Sequence, residues 1–277
     1  MSSYLFNKYK YKKMKKNLRL NKESKTQNGI LYVIEKIIRS HPLLYLITRS
    51  LIRFTNIFEI DFEGIKLINL KKKITIYDIG ASDGIASKYF LNNLTVKKIY
   101  CFEPDETYVK ILKNLKIKKL IIKPYGIGNK TFECDIFMPR YKFFKKKYDL
   151  TTYSFFDKYY LIKQINLDFK FRKNISIIKK KIYIKKIDKI KTNIDLIKID
   201  TNGYELQVIN ALKDTIKNSK PVIILETNQD ILNIKKFLKK YSYNDYFYNV
   251  DEKKLKRVKK KYPLNTYFLQ KKHLISN

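Results

Sequence analysis

The residues best placed to do chemistry lie in a few short runs. The first, Ile76-Tyr-Asp-Ile-Gly-Ala-Ser-Asp-Gly84, reads as an apolar strand that ends at Asp78 and enters a loop through Gly80, Ala81 and Gly84. Glycines at such points let the backbone approach a ligand and turn sharply, and the following helix start offers free N–H groups. The run is not the dinucleotide fingerprint G-x-G-x-x-G, because its spacing is G-x-x-x-G and a carboxylate precedes the first glycine. Asp78 and Asp83 would repel a pyrophosphate but attract a cationic ligand. The second run, Cys101-Phe-Glu-Pro104, puts Glu103 at the end of the next strand. An acidic group one βα unit after the glycine loop can accept both hydroxyls of a ribose.

Two further runs supply carboxylates. Ile194-Asp-Leu-Ile-Lys-Ile-Asp-Thr-Asn-Gly-Tyr-Glu205 places Asp200 at the carboxyl end of a buried strand and Glu205 in the first turn of a helix, while Val222-Ile-Ile-Leu-Glu-Thr227 ends its strand at Glu226. Ligands of open α/β sheets lie beyond the carboxyl ends of the strands. A chain with 61 Lys and Arg against 25 Asp and Glu would rarely gather Asp78, Glu103, Asp200 and Glu226 there by chance. Asp200, helped by Glu205 or Glu226, is suited to orient an acceptor hydroxyl and take its proton. The same oxygen ligands could instead hold Mg²⁺ against a diol, the less favoured reading, and no dedicated metal site is expected. Cys101 and Cys134 lack CxxC or Cys/His spacing, which suggests neither zinc nor a disulfide framework, and His41 and His273 read as solvated or capping residues.

Alternating elements must position these groups. From about residue 61, short β-branched runs alternate with helical stretches, the pattern of βα units around a parallel sheet. Strands are predicted at Ile74–Ile79, Lys98–Phe102, Leu120–Lys123, Leu196–Ile199 and Val222–Leu225, and helices at Ala86–Asn92, Asp105–Leu115 and Tyr204–Asn218. An insertion of less regular pattern, roughly 139–174 and dense in Phe, Tyr and Lys, reads as a surface excursion or an active-site covering. Tyr243–Tyr248 and Thr266–Leu269 are expected to close the sheet as an antiparallel pair. Upstream, residues 1–26 read as a basic mobile tail and 27–60 as a helical extension, with 61–277 as the α/β domain. Ser40 and Pro42 mark a helix start, and Leu43, Leu44, Ile47, Leu51 and Phe54 recur on one face that is expected to pack on that domain.

Taken in order, Asp78 to Gly84, Phe102 to Pro104, Lys198 to Glu205 and Leu225 to Glu226 resemble the motifs D-x-G-A-x-x-G, F-E-P, K-I-D-V-E-G-x-E and L-E of the FkbM family of S-adenosylmethionine-dependent methyltransferases. The resemblance spans roughly residues 74–248. It implies a Rossmann-like class I methyltransferase fold, a seven-stranded, mostly parallel sheet with helices on both faces. It also implies that Asp78, Gly80, Ala81 and Gly84 face the methionine end of S-adenosylmethionine, that Glu103 takes its ribose, and that Gly126 of Tyr125-Gly-Ile-Gly128 lies in the adenine-side loop. Thr201-Asn202 stands where the family usually shows Val-Glu.

The family resemblance favours O-methylation of a hydroxyl on a sugar, glycan or related small molecule, and residue chemistry permits it. An RNA methyltransferase and a non-catalytic module binding a membrane or polyanion are the alternatives. No Asn/Asp-Pro-Pro-aromatic run follows the fourth strand and no Pro-Cys loop exists, which disfavours methylation of nucleic-acid bases on nitrogen or on carbon 5. The net charge of +36 points to a polyanion. It is nevertheless carried mainly by lysine, with seven arginines, whereas a nucleic-acid reader would favour arginine forks, so nucleic acid is an unlikely partner on this reading. The first 28 residues lack the apolar core of a secretory signal, and 30–54 is interrupted by charges, so a cytoplasmic protein with at most peripheral contact to anionic membrane is expected.

Overall fold

Strands covered on both faces must be apolar along their whole length, whereas strands with one wet face alternate. The computed structural model describes residues 41–52, 59–70, 73–169, 172–187 and 193–275. The predicted tail 1–26, the Ser40 cap and Phe54 lie outside them. Helix α1 (Pro42–Ile52) and a 3-10 segment (Ile60–Leu67) precede β1 (Ile74–Ile79), α2 (Ile85–Asn93), β2 (Val96–Phe102), α3 (Glu106–Asn114) and β3 (Leu120–Lys123). An excursion follows through β4 (Gly126–Gly128), β5 (Phe132–Phe143), β6 (Lys146–Asp149), α4 (Lys158–Asp168) and β7 (Ile175–Lys186). The chain then returns through β8 (Leu196–Ile199), α5 (Glu205–Ala211), α6 (Lys213–Ser219), β9 (Val222–Glu226), α7 (Ile231–Lys239), β10 (Asn244–Asn249), β11 (Lys254–Arg257) and β12 (Asn265–Leu269).

The main sheet has eight strands in the order β11-β10-β12-β9-β8-β1-β2-β3. The expectation of seven is therefore corrected. β9, β8, β1, β2 and β3 pair in parallel, and β12, β10 and β11 add three antiparallel pairings. The expected pair from the C-terminal region is present as β10 and β12. The strand missed is β11, whose Lys-Leu-Lys-Arg sequence at an exposed edge carries little apolar signal. Central β1 and β8 are buried at every position, as two-sided coverage demands.

Period-two alternation divides their side chains between two cores. On one face Ile74, Ile76, Leu196 and Ile224 meet Ala86, Tyr89 and Phe90 of α2 and Phe62 and Ile65 of the 3-10 segment. On the other, Tyr77, Ile79, Ile197 and Ile223 meet Val208, Ile209 and Ile216 together with Ile231, Ile234 and Leu238 of α7. The helix predicted over Tyr204–Asn218 is two helices, because Leu212 takes φ −90° and ψ 11° between α5 and α6. The bend leaves Leu212 and Ile216 in the same core as Val208.

The insertion is more regular than its sequence suggests. β4, β7, β5 and β6 form a second sheet in that order, built on the 12-residue strands β5 and β7. It carries its own core, in which Tyr141, Leu150, Leu161, Ile165 and Phe169 are covered by Leu43, Tyr45 and Leu46 of α1. α1 thus packs on the protein as expected, but by another face, since Leu44, Ile47 and Leu51 of the predicted stripe are exposed. His41 is a capping residue whose Nδ1 accepts from the Leu43 N–H at 3.2 Å. Phe169 is 2% exposed at the centre of this smaller core. Phe169→Ala should destabilise the protein by roughly 3–5 kcal/mol, read as a lowered midpoint in chemical denaturation.

Candidate active site

Strand order reverses between β1 and β8, and the loops that leave their carboxyl ends touch. Gly80 adopts φ 73°, and a Cβ there would lie 1.8 Å from the Asp200 carbonyl oxygen, so only glycine fits. Main-chain bonds fix the junction, from Asp200 N–H to Ile79 O at 3.0 Å and from Gly80 N–H to Phe102 O at 2.9 Å. Beneath it lies Lys198, buried in an otherwise apolar strand and in register with Asp78. Its Nζ donates to Gly80 O at 2.8 Å and sits 3.4 Å from Asp78 Oδ1 and 3.6 Å from Asp200 Oδ2. Burial opposes the ammonium charge, but Asp78 and Asp200 outweigh it and hold Lys198 above the ordinary lysine range.

Asp78, expected from the sequence to face the cofactor, does not line the cavity in this arrangement. It is fully buried, takes a 2.6 Å hydrogen bond from Ser87 Oγ, and is separated from the cavity by the loop it anchors. Burial raises its pKa, with Lys198 acting against that shift. Gly84 likewise stands away from the cavity: at φ 80° it starts α2, where a Cβ would meet Leu115 at 2.8 Å.

A cavity of about 280 Å³ opens beyond these loops, near the lower bound of about 300–1,000 Å³ for small-molecule sites. Gly80, Ser82, Glu103, Gly126, Asp200 and Glu226 line it, and Ala81 lines a side chamber of about 60 Å³ that shares Gly80, Asp200 and Glu226. Glu103 is held rigidly, with Oε2 accepting from Ser82 N–H at 2.8 Å and Oε1 from Asp105 N–H at 2.9 Å. Burial pushes its pKa up to about 7, against the pull of those two N–H groups. Each oxygen retains a lone pair. Ser82 Oγ, also buried, makes no hydrogen bond of normal geometry, although the Tyr108 hydroxyl stands close to it.

Asp200 is 44% exposed and Glu226 stands beside it across the cavity wall. Burial, then Asp200 and Glu205, raise the Glu226 pKa well above the ordinary carboxylate range. Glu205 is not a cavity residue. Its carboxylate accepts from Thr201 N–H at 2.9 Å, Thr201 Oγ1 at 3.1 Å, Gly203 N–H at 3.1 Å and the Asn228 amide, so it shapes the loop after β8. Among the described residues, no group of three or more His, Cys, Asp or Glu is placed to hold a metal ion.

The insertion and α1 form the roof. Arg49 forks onto Asp83, Nε to Oδ2 at 2.9 Å and Nη2 to Oδ1 at 3.1 Å. Tyr45 OH and Thr152 Oγ1 share a 2.5 Å hydrogen bond, and the Tyr204 ring stacks on Phe156 at 4.5 Å. Asn202, at φ 51°, donates from Nδ2 to Thr152 O at 3.3 Å. The family's glutamate could not make that donation. Sequence reasoning missed Lys198, Arg49 and Tyr45; a lysine within an apolar parallel strand was the one legible signal, because buried lysines are rarely unpaired.

The donor set fits a nucleoside cofactor: Glu103 offers two spare acceptor sites, Ser82 a hydroxyl beside that of Tyr108, and Gly80 and Gly126 leave backbone without side chains against the cavity. A profile of the methyltransferase FkbM domain matches residues 78–244, more than half of the chain. The chain belongs to the FkbM methyltransferase family. No curated protein matches it in sequence. A solved FkbM methyltransferase from Methylobacillus flagellatus KT is similar at 14% identity and TM-score 0.47, over 73% of this chain and 45% of that one. This chain thus spans under half the length of that relative. TrmK of M. capricolum, solved with S-adenosyl-homocysteine, is similar at 14% identity and TM-score 0.40, over 79% of this chain and 71% of its own. A precorrin-6y C5,15-methyltransferase from Geobacter metallireducens GS-15 is similar at 15% identity and TM-score 0.37, over 75% and 83% of the two chains.

The raised pKa of Glu226 has a consequence for this family member's stability. A carboxyl group whose folded pKa exceeds its unfolded value stabilises the fold at low pH, and that contribution is lost as pH rises through the folded pKa. Glu226→Gln carries no charge at any pH. Its melting temperature relative to the native chain should therefore rise between pH 5 and pH 8, by roughly 2–4 °C for each kcal/mol relieved. Thermal melts across that range check it.

Proposed function

We propose that this FkbM-family protein is an S-adenosylmethionine-dependent O-methyltransferase whose acceptor is a hydroxyl of a sugar, glycan or related polyol. The observation that carries the reading is one cavity with Glu103 on one side and the Asp200–Glu226 pair on the other, at the reversal point of a mostly parallel sheet. When bound, the cofactor supplies an electrophilic methyl group. Glu103 accepts the ribose hydroxyls, and its two backbone bonds keep its oxygens in place for them. Gly80 and Gly126 allow close approach of the main chain. Burial and the neighbouring Asp200 favour the protonated form of Glu226, which can donate a hydrogen bond to Asp200. That carboxylate, only half-buried, orients the acceptor hydroxyl and takes its proton as the hydroxyl oxygen becomes acidic.

The charge of the wall supports a neutral acceptor. Glu59, Glu103, Asp105, Asp200 and Glu226 line the cavity, but burial favours the neutral forms of Glu59, Glu103 and Glu226, Lys180 pairs with Asp105, and the lining Arg49 is forked onto Asp83. Despite the net charge of +36, the wall thus offers a polyphosphate backbone no uncommitted arginine. The rings of Tyr153 and Phe156 add flat apolar surface suited to the C–H face of a sugar.

Two substitutions test the assignment. Glu103→Ala should weaken S-adenosylmethionine binding in calorimetry by roughly 1.5–3 kcal/mol, the scale of charge-assisted hydrogen bonds. Tight NAD binding by the native chain with no response to S-adenosylmethionine would end the reading. Asp200→Asn should lower transfer of labelled methyl into acceptor fractions of cell extract by about 10²- to 10⁴-fold, with cofactor affinity within about 1 kcal/mol. Loss of both together would move Asp200 to the cofactor's surroundings.

A further inference from the structure

The roof over the cavity has two unlike sides. Its inner side contributes Tyr45, Arg49 and Thr152 to the cavity. Its outer side is apolar. On α1, Leu44, Ile47 and Leu51 are 41%, 49% and 61% exposed and follow helical spacing along one stripe. On α4, which packs into the same small core, Ile162 and Leu167 are 40% and 69% exposed. Exposed aliphatics also occur singly elsewhere, at Ile60, Leu232, Leu264 and Ile275, but α1 carries three on one stripe of a helix whose Leu43 and Leu46 pack inward.

The hairpin between β5 and β6 adds a second, independent observation. Phe143 pairs with Lys146, so Phe144 and Lys145 form its two-residue tip. Phe144 is 82% exposed and adopts φ 51°. Tight hairpin turns favour Gly, Asn or Asp at such angles, and a bulky aromatic in the left-handed region is strained and, at this exposure, largely unburied. The Phe144 ring meets Phe143 edge-to-face at 4.7 Å and is otherwise open to solvent. The residues around it are Lys142, Lys145, Lys146 and Lys147, all exposed, and the segment 141–148 contains no carboxylate.

We propose that the outer face of α1 and α4, with the Phe144 hairpin tip, docks on the surface of an anionic phospholipid bilayer. Aliphatic and aromatic side chains ringed by lysine are what such a surface takes, since apolar groups enter the acyl boundary while ammonium groups meet lipid phosphates. A second copy of the chain is a poorer occupant because both copies carry +36. RNA is poorer too, because apart from Phe144 the face offers leucine and isoleucine, which are no platform for base stacking. The inference stands on this surface and is independent of methyl transfer.

Co-sedimentation of the full chain with phosphatidylcholine vesicles, with and without phosphatidylserine, tests it. Binding is expected only when phosphatidylserine is present. Phe144→Ser and the double substitution Ile47→Ser with Leu51→Ser should each weaken it by about tenfold while melting temperature is retained. Changing Lys145, Lys146 and Lys147 to Gln should weaken it by about fivefold per lysine. The proposal is overturned by an absence of vesicle binding. It is equally overturned by binding that these substitutions leave unchanged, which would assign adhesion to the basic residues elsewhere in the chain. Salt-sensitive RNA binding without vesicle binding, or a dimer that Ile47→Ser with Leu51→Ser dissociates without vesicle binding, would replace it.

Discussion

The buried contact between Asp78 and Lys198 is the constraint on which the site depends. The two lie in register on adjacent parallel strands, with Nζ to Oδ1 at 3.4 Å and both side chains almost wholly out of water. Removing one partner of such a pair costs about 3–5 kcal/mol, although replacing both by apolar residues is often neutral. Stability alone is therefore a weak account of its presence. Lys198 also holds the Gly80 carbonyl and stands near Asp200, so a single ammonium group references the two loops of the site to each other. Gly80, which tolerates no side chain, makes that reference tight.

Much of the fold was legible because the central strands obey simple rules. Ile74–Ile79, Leu120–Lys123 and Leu196–Ile199 appear with the boundaries that their apolar runs predict. Strand-end carboxylates stand out in such runs, and Glu103, Asp200 and Glu226 do reach one cavity. Glu205 did not follow from pattern. Positive φ at Asn202 and Gly203 curls the loop so that its own N–H groups surround that carboxylate, and nothing in the spacing of residues announces this. Asp78 shows the same limit in reverse, since only the register of β1 against β8 reveals that its partner is a lysine and not a ligand.

The second sheet was hidden for a different reason. β7 reads Ile-Ser-Ile-Ile-Lys-Lys-Lys-Ile-Tyr-Ile-Lys-Lys, in which three consecutive lysines interrupt alternation, and half-exposed strands tolerate this where central ones would not. α1 misled by its own regularity. Its most periodic apolar residues face outward, while the packing face relies on Leu43, Leu46, the Tyr45 hydroxyl and the Arg49 fork. Hydrophobic periodicity finds an amphipathic helix but does not say what its apolar side meets.

Because the roof possesses a core of its own, its motion is separable from the stability of the main sheet. Proteins open in cooperative units whose free energies range from near zero to that of global unfolding. Here α1, α4 and the second sheet are tied to the main sheet by polar bonds, Arg49 to Asp83, Asn202 to Thr152 and Lys180 to Asp105 at 2.5 Å, by the stack of Phe156 on Tyr204, and by Ile127 of β4, which sits in the core of Ile197 and Ile223. The polar ties involve none of Ile76, Ile197 or the Gly80 junction, whereas Ile127 is part of the core of Ile197. Access to the cavity then depends on contacts of the roof, while the placement of Glu103, Asp200 and Glu226 depends on the strands that carry them, so access and geometry rest on different parts of one chain.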